Sequence, residues 1–362
     1  MQIGIIGLPQ SGKTTIFNAL TGGKADRPTF APGGLTVQTA VVNVPDERLD
    51  RLSELFRPQR TVYAQVQYND IGGLERGLGE AGGLSGPVLN QIAQNDALLA
   101  VVRAFPSLAV PHPEGSIDPE RDLRIIQDEL ALSDMSLIER RLERLRERAG
   151  KGGSPQEREA NAREMALLER LWQALESGRA LRDEPLTPDE ARMIRGYGFL
   201  TQKPLLVVVN QGDDPKTDLP LPTLPDSPRV AALSVRGLLE MELAQMAPDE
   251  RAEFMEEFGV EELALHRVLR TSYEIMGVIS FFTMGDDEVR AWTLRRGETA
   301  LDAAATIHTD LARGFIRAEV IEHDRLLEAG SLAEARRRGW LRLEGKEYIV
   351  QDGEVVHIRF HI

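Results

Sequence analysis

Eight residues near the start of the chain, Gly7-Leu8-Pro9-Gln10-Ser11-Gly12-Lys13-Thr14, have the types and spacing G-x-x-x-x-G-K-T that bind phosphate. Glycines let backbone N–H groups turn inward around phosphate oxygens, and a helix starting at the loop aims its positive dipole end at them. Lys13 supplies a point charge to the β and γ oxygens, and the Thr14 hydroxyl is the candidate ligand for Mg²⁺. Gly7, Gln10, Ser11, Gly12, Lys13, Thr14 and Thr15 are therefore the candidates to touch a nucleotide. Three further stretches belong to the same chemistry. Asp70, followed by Ile71, Gly72 and Gly73, gives D-x-x-G: a carboxylate at a strand end to hold the metal's hydration shell, and a glycine N–H for a γ-phosphate. Asn210-Gln211-Gly212-Asp213 follows an apolar run, where a base-recognition N-K-x-D belongs, with Gln211 in place of lysine. Ser234-Val235-Arg236 occupies the place of a second base-contacting loop.

The elements that must position these residues are short β-like runs bounded by turns: 2–6, 39–44, 61–68, 97–105, 204–210 and 229–234. Several are continuously apolar, as strands covered on both faces by helices are, so the sequence predicts an α/β fold with a mainly parallel sheet. Between the fourth and fifth runs, residues 119–197 read as helix. Leu123, Ile126, Leu130, Leu137, Leu142 and Leu145 form one stripe. After a glycine break, Ser154, Pro155 and Glu157 start a second helix striped by Met165, Leu168, Leu171, Trp172 and Leu175. This predicts a helical hairpin or short coiled coil, either a solvated structural arm or a partner-docking one. Residues from 279 onward alternate short β-like runs with turns, with a helix at 299–311, predicting a β-rich third domain. The boundaries expected are 1–118 and 198–277 for the two parts of the nucleotide domain, 119–197 for the helical insertion and 278–362 for the last domain.

The bulk composition narrows the classes. The chain of 362 residues has no cysteine, which excludes disulfides and thiol catalysis. A net charge of -14 argues against nucleic-acid binding through overall charge and predicts no specific DNA binding. No apolar run approaches the ~18 residues of a membrane span and no secretory signal is visible, so a cytoplasmic protein without membrane contact is expected. Arg295, Arg296 and Arg336 to Arg338 are either solvated faces or basic patches for rRNA.

Taken together, these features resemble the YchF family, also called Obg-like ATPases. The resemblance spans nearly the whole chain and rests on the phosphate loop, VPDERLDRL (44–52), NDIGGL (69–74), GSIDPERDL (115–123) and LTPDEARMIRGYGFLTQKPLLVVVN (186–210). Above all it rests on residues 281–321 and 343–360, which are similar to the family's TGS domain. The resemblance implies a nucleotide domain interrupted by a coiled coil, a C-terminal TGS domain, Mg²⁺-dependent hydrolysis of ATP in preference to GTP, and association with the ribosome and its rRNA. It also implies that His112 takes the place of the water-orienting glutamine of Ras-like GTPases, where this chain has Leu74. Three departures keep alternatives open. Asp213 stands where the family carries glutamate, which leaves GTP as the alternative substrate. Gly34 stands at the family's metal-binding switch I threonine, with Thr36 two residues away as the substitute ligand. A glycine-rich switch I also leaves room for a nucleotide-sensing adaptor with negligible turnover.

Overall fold

A computed structural model of the chain describes residues 1–23, 29–30, 36–72, 86–107, 109–150, 154–257, 260, 262–285 and 287–361. Its strands in chain order are β1 (Gln2–Ile6), β2 (Thr29–Phe30), β3 (Thr36–Asn43), β4 (Arg60–Val62), β5 (Gln65–Ile71), β6 (Ala97–Ala104), β7 (Leu205–Gln211), β8 (Val230–Val235), β9 (Val278–Met284), β10 (Glu288–Arg295), β11 (Phe315–Glu322), β12 (Arg342–Glu344) and β13 (Glu354–Phe360). Two compact units divide the chain, Met1–Val41 with Gln67–Thr271, and Val42–Val66 with Ser272–Ile362.

The first unit holds a seven-stranded sheet in the order β2-β3-β5-β1-β6-β7-β8. β1 runs parallel to both β5 and β6, β6 to β7 and β7 to β8, while β2 and β3 are antiparallel. Every residue of β6 and β7 is buried, which is why both runs lack polar alternation. With β1, β6 and β7 adjacent and parallel, the loops that follow them emerge along one edge of the sheet, where open α/β sheets bind ligands.

A long helix, Pro119–Gly150, starts against this sheet, with Leu123, Ile126 and Leu130 packed among Val102, Val207 and Val209. It continues into a second core with the helix Pro155–Glu176, where Ile138, Leu142 and Leu145 meet Leu167, Leu168 and Leu171. The predicted capping box at Ser154 and Glu157 is present. The predicted stripe shifts at two positions: Ile138 is fully buried where Leu137 was expected, and Asp134 fills the buried place between Leu130 and Ile138. A carboxylate is tolerated there because it accepts from Leu200 N (2.8 Å), Thr201 N (2.8 Å) and Thr201 Oγ1 (2.6 Å). Arg141 joins the two helices by a two-pronged contact with Glu164 at 2.8 and 2.9 Å.

The second unit carries a six-stranded sheet in the order β12-β11-β13-β9-β10-β4. Residues 42–66, expected in the first part of the nucleotide domain, belong to this unit instead. The run 61–68 is broken at Tyr63 and Ala64, so β4 joins one sheet and β5 the other. The helix Glu47–Phe56 buries Leu49 and Leu52 beside Phe282, Val289 and Val355. Arg48 fixes its start by pairing with both Asp46 and Asp352 at 2.8 Å while lying over the Phe282 ring. Among the residues from 279 onward, the β-like stretch 347–350 contributes only an isolated bridge from Ile349 to Thr299. Arg336, Arg337 and Arg338 are paired with Glu319, Glu334 and Glu328, which offsets their charge as a basic patch.

Candidate functional site

The phosphate loop follows β1 and ends at the helix Lys13–Thr21. Two of its glycines are demanded by space. A Cβ on Gly7 would lie 2.5 Å from the Val101 carbonyl oxygen, and one on Gly12, at φ 90°, would lie 2.2 Å from Asn210 Nδ2. Gln10 is exposed and also sits in the left-handed region, at φ 63°. Lys13 is buried, and its ammonium donates to the carbonyl oxygens of Gly7 (3.2 Å) and Leu8 (2.9 Å). Burial pushes its pKa down and the nearby Asp70 carboxylate pulls it back up. Thr15 is half-buried in the first turn.

Asp70 lies on β5 beside Ile5 of β1, which brings it to the loop. Thr14 Oγ1 donates to Asp70 Oδ2 at 2.9 Å. The other oxygen, Oδ1, is buried and has no hydrogen-bond partner among the described residues. Burial raises the Asp70 pKa, while the Thr14 bond and Lys13 lower it. Thr14 and Asp70 thus offer hard oxygen donors beside a buried ammonium, and one oxygen is left over. That donor set suits Mg²⁺, which takes one or two protein oxygens and otherwise keeps its water or phosphate.

Asn210, the first residue of the candidate base-recognition stretch, is brought to the same loop. Asn210 is buried at the end of β7, donates to Ser11 O at 3.1 Å and accepts from Gly237 N at 3.1 Å. One amide therefore ties β7 to the phosphate loop and to the helix Gly237–Gln245. Ser11 Oγ is buried without a partner among the described residues. Ser234 and Val235 stand on β8 beside Val209 and Asn210 of β7, and Arg267 donates to Ser234 O at 3.2 Å. Gln211 differs from the lysine it replaces: it is buried, donates to Leu219 O at 2.7 Å and accepts from Leu219 N at 3.1 Å. Its side chain braces the following loop. Asp213 is exposed and has no hydrogen bond among the described residues.

Sequence reasoning missed Phe105 and Arg103. The Phe105 ring lies 3.7 Å from where a Gly12 Cβ would be, and its Cβ lies 3.6 Å from where a Gly212 Cβ would be. It is an apolar side chain between the phosphate loop and the base-recognition turn. The fully buried Arg103 holds it by stacking over the ring at 4.5 Å and donating to Phe105 O at 3.0 Å. The signal was an arginine inside an otherwise apolar buried strand.

His112 is held elsewhere. Its Nε2 is 2.8 Å from Asp122 Oδ2, its Nδ1 accepts from Glu114 N at 3.1 Å, and its side chain is 5% exposed. Among the described hydrogen bonds it has none with the phosphate loop. Thr36 opens β3 opposite Phe30; its side chain, Gly34, Gly73 and Leu74 lie outside the described residues.

Known proteins share this layout. Residues 2–138 match the family model described as 50S ribosome-binding GTPase, and residues 278–361 match YchF-GTPase_C, described as protein of unknown function (DUF933). The chain is 39% identical over 363 residues to the Ribosome-binding ATPase YchF of Pasteurella multocida and 36% identical over 366 residues to that of Bacillus subtilis, covering 99% of each chain in both pairs. The solved structure of the Schizosaccharomyces pombe YchF GTPase superposes with a TM-score of 0.82 at 32% identity, covering 99% of this chain and 97% of that one. On this full-length similarity and the shared phosphate-loop fold, the chain belongs to the YchF family.

Proposed function

We propose that the chain is a Mg²⁺-dependent nucleoside-triphosphate hydrolase that takes ATP in preference to GTP and acts as a switch on the ribosome and its rRNA in the cytoplasm. The observation that carries the enzymatic part is the Thr14–Asp70 hydrogen bond beside the buried Lys13, because it gathers the metal-binding oxygens and the phosphate-binding charge at one loop. Ribosome binding and ATP hydrolysis are supported by the names of relatives at 36% and 39% identity. Among the described residues no helix is long and apolar enough to cross a membrane.

In this reading the loop N–H groups and Lys13 bind the phosphates and stabilise charge that develops on them during transfer. Thr14 and Asp70 would hold Mg²⁺, with Thr36 as the switch I ligand and Gly73 as the γ-phosphate N–H donor. When bound, the metal neutralises charge on the β and γ oxygens. Phe105 supplies an apolar wall for the base, and Gln211 and Asp213 shape its edge, with Ser234 and Val235 beside them. His112 orients the attacking water. Comparing phosphate release from wild type and Lys13→Ala tests the claim. Loss of one such charge-stabilising group costs about 100-fold or more in kcat, whereas a wild type no faster than the variant with either nucleotide would reduce the chain to a nucleotide-sensing adaptor. The exposed Asp213 favours a second reading, GTP specificity; GTP binding about 10-fold tighter than ATP would establish it.

A further inference from the structure

The hydrogen bonds around His112 use up its ring. Nδ1 accepts the Glu114 N–H at 3.1 Å, so it carries no proton, and the ring proton sits on Nε2, which donates to Asp122 Oδ2 at 2.8 Å. Neither nitrogen is left to hold a water. The partner carboxylate is itself closed in. Arg121 donates from Nε (3.1 Å) and Nη2 (2.8 Å) to Asp122 Oδ1, and from Nη1 and Nη2 to Ser116 Oγ (2.9 Å) and Ser116 O (2.7 Å). The Asp122 side chain is 2% exposed. Gly115, at φ 77°, makes the turn that folds the chain back, with its N–H on His112 O at 3.0 Å. The whole cluster is seated on the first turn of the helix Pro119–Gly150.

We infer that Asp122 is a restraining residue: it holds His112 with both ring nitrogens occupied, so that hydrolysis waits for the His112–Asp122 pair to separate. The inference rests on the reading of His112 as the group that orients water. Asp122 acts through the histidine and is a positioning residue. The pair is charge-assisted and shielded from solvent, so the released ring is a minor population, and turnover scales with that population.

The test compares wild type with Asp122→Asn, Asp122→Ala, His112→Ala and the two double variants in steady-state hydrolysis with Mg²⁺ and ATP. Each Asp122 variant raises kcat ~10-fold, about the worth of one charge-assisted hydrogen bond, with KM within ~2-fold. The gain disappears when His112→Ala is added, a dependence that a purely structural role for Asp122 would not produce. A His112→Ala variant as fast as wild type removes the histidine's role and the restraint with it. If His112→Ala is slow while the Asp122 variants are unchanged or slower, the restraint alone is overturned. Should both Asp122 variants fail to fold, deuterium exchange at the imidazole Cε1–H of the wild type decides. The clamped His112 exchanges ~10-fold more slowly than the exposed His357, and equal rates overturn the restraint.

Discussion

Asn210→Ala tests whether one buried amide assembles the site. The substitution removes the donor to Ser11 O and the acceptor for Gly237 N, both at 3.1 Å, from a residue only 4% exposed. Two buried partners lose their bonds, at about 1–2 kcal/mol each, so the local cost is ~2–4 kcal/mol. The Gly237 share, ~1–2 kcal/mol, converts to a ~5- to 30-fold faster exchange of the Gly237 amide proton, at one decade per ~1.4 kcal/mol. Residue-resolved hydrogen exchange of the full chain reads this directly and does not require two units to unfold together. Nucleotide affinity falls by ~10-fold or more, because Ser11 O is no longer held and the loop loses its preset shape. Asn210→Asp separates the two bonds. It keeps an acceptor for Gly237 but sets an oxygen against Ser11 O, so Gly237 exchange stays within ~3-fold of wild type while affinity still drops. Gly237 exchange within ~3-fold of wild type in Asn210→Ala would refute the argument.

Two other substitutions bear on the metal site and on the base of the helical arm. Asp70→Asn keeps an acceptor for Thr14 but loses the carboxylate; the Mg²⁺ concentration for half-maximal hydrolysis rises ~10-fold or more, while metal-free nucleotide binding holds or tightens, and an unchanged Mg²⁺ requirement would contradict the assignment. Burial pushes the Asp134 pKa up to about 6, so its favourable contribution is full below the ordinary carboxylate pKa and is lost as pH rises through about 6. Asn cannot titrate, so the stability gap between wild type and Asp134→Asn shrinks by ~2 kcal/mol from pH 4.5 to 7.5 in urea unfolding; a gap that widens with pH would mean the three donors keep the carboxylate ionised.

The phosphate loop was legible because its function is carried by local spacing: glycines, Lys13 and Thr14 sit within eight residues, behind a strand and at the start of a helix. Asp70 and Asn210 were legible from their positions at strand ends. What escaped depended on pairing across distance. The run 61–68 gives no sign that β4 and β5 enter different sheets, because apolar content is alike in both. Asp134 gave no signal as a buried residue, since the backbone groups it accepts from are 66 and 67 residues away. Gln211 stands where the base-recognition pattern has lysine, yet its side chain is spent on Leu219. His112 was singled out only through resemblance, and the carboxylate that binds it, ten residues on, carries no signal of its own in the periodicity.

The buried Asp134 has a mechanical consequence. The helix Pro119–Gly150 is a rod of 32 residues, about 48 Å long. Asp134 pins it to the chain at Leu200 and Thr201, about 18 Å from Asp122 and about 24 Å from Gly150. A rigid rod so pinned is a lever with unequal arms. A sideways push of ~4 Å at the Gly150 end swings the Asp122 end ~3 Å the other way, a distance comparable to the 2.8 Å that separates His112 from its carboxylate. The leucines that pack the first turns against the sheet set how stiff that fulcrum is, and so how hard a partner must press.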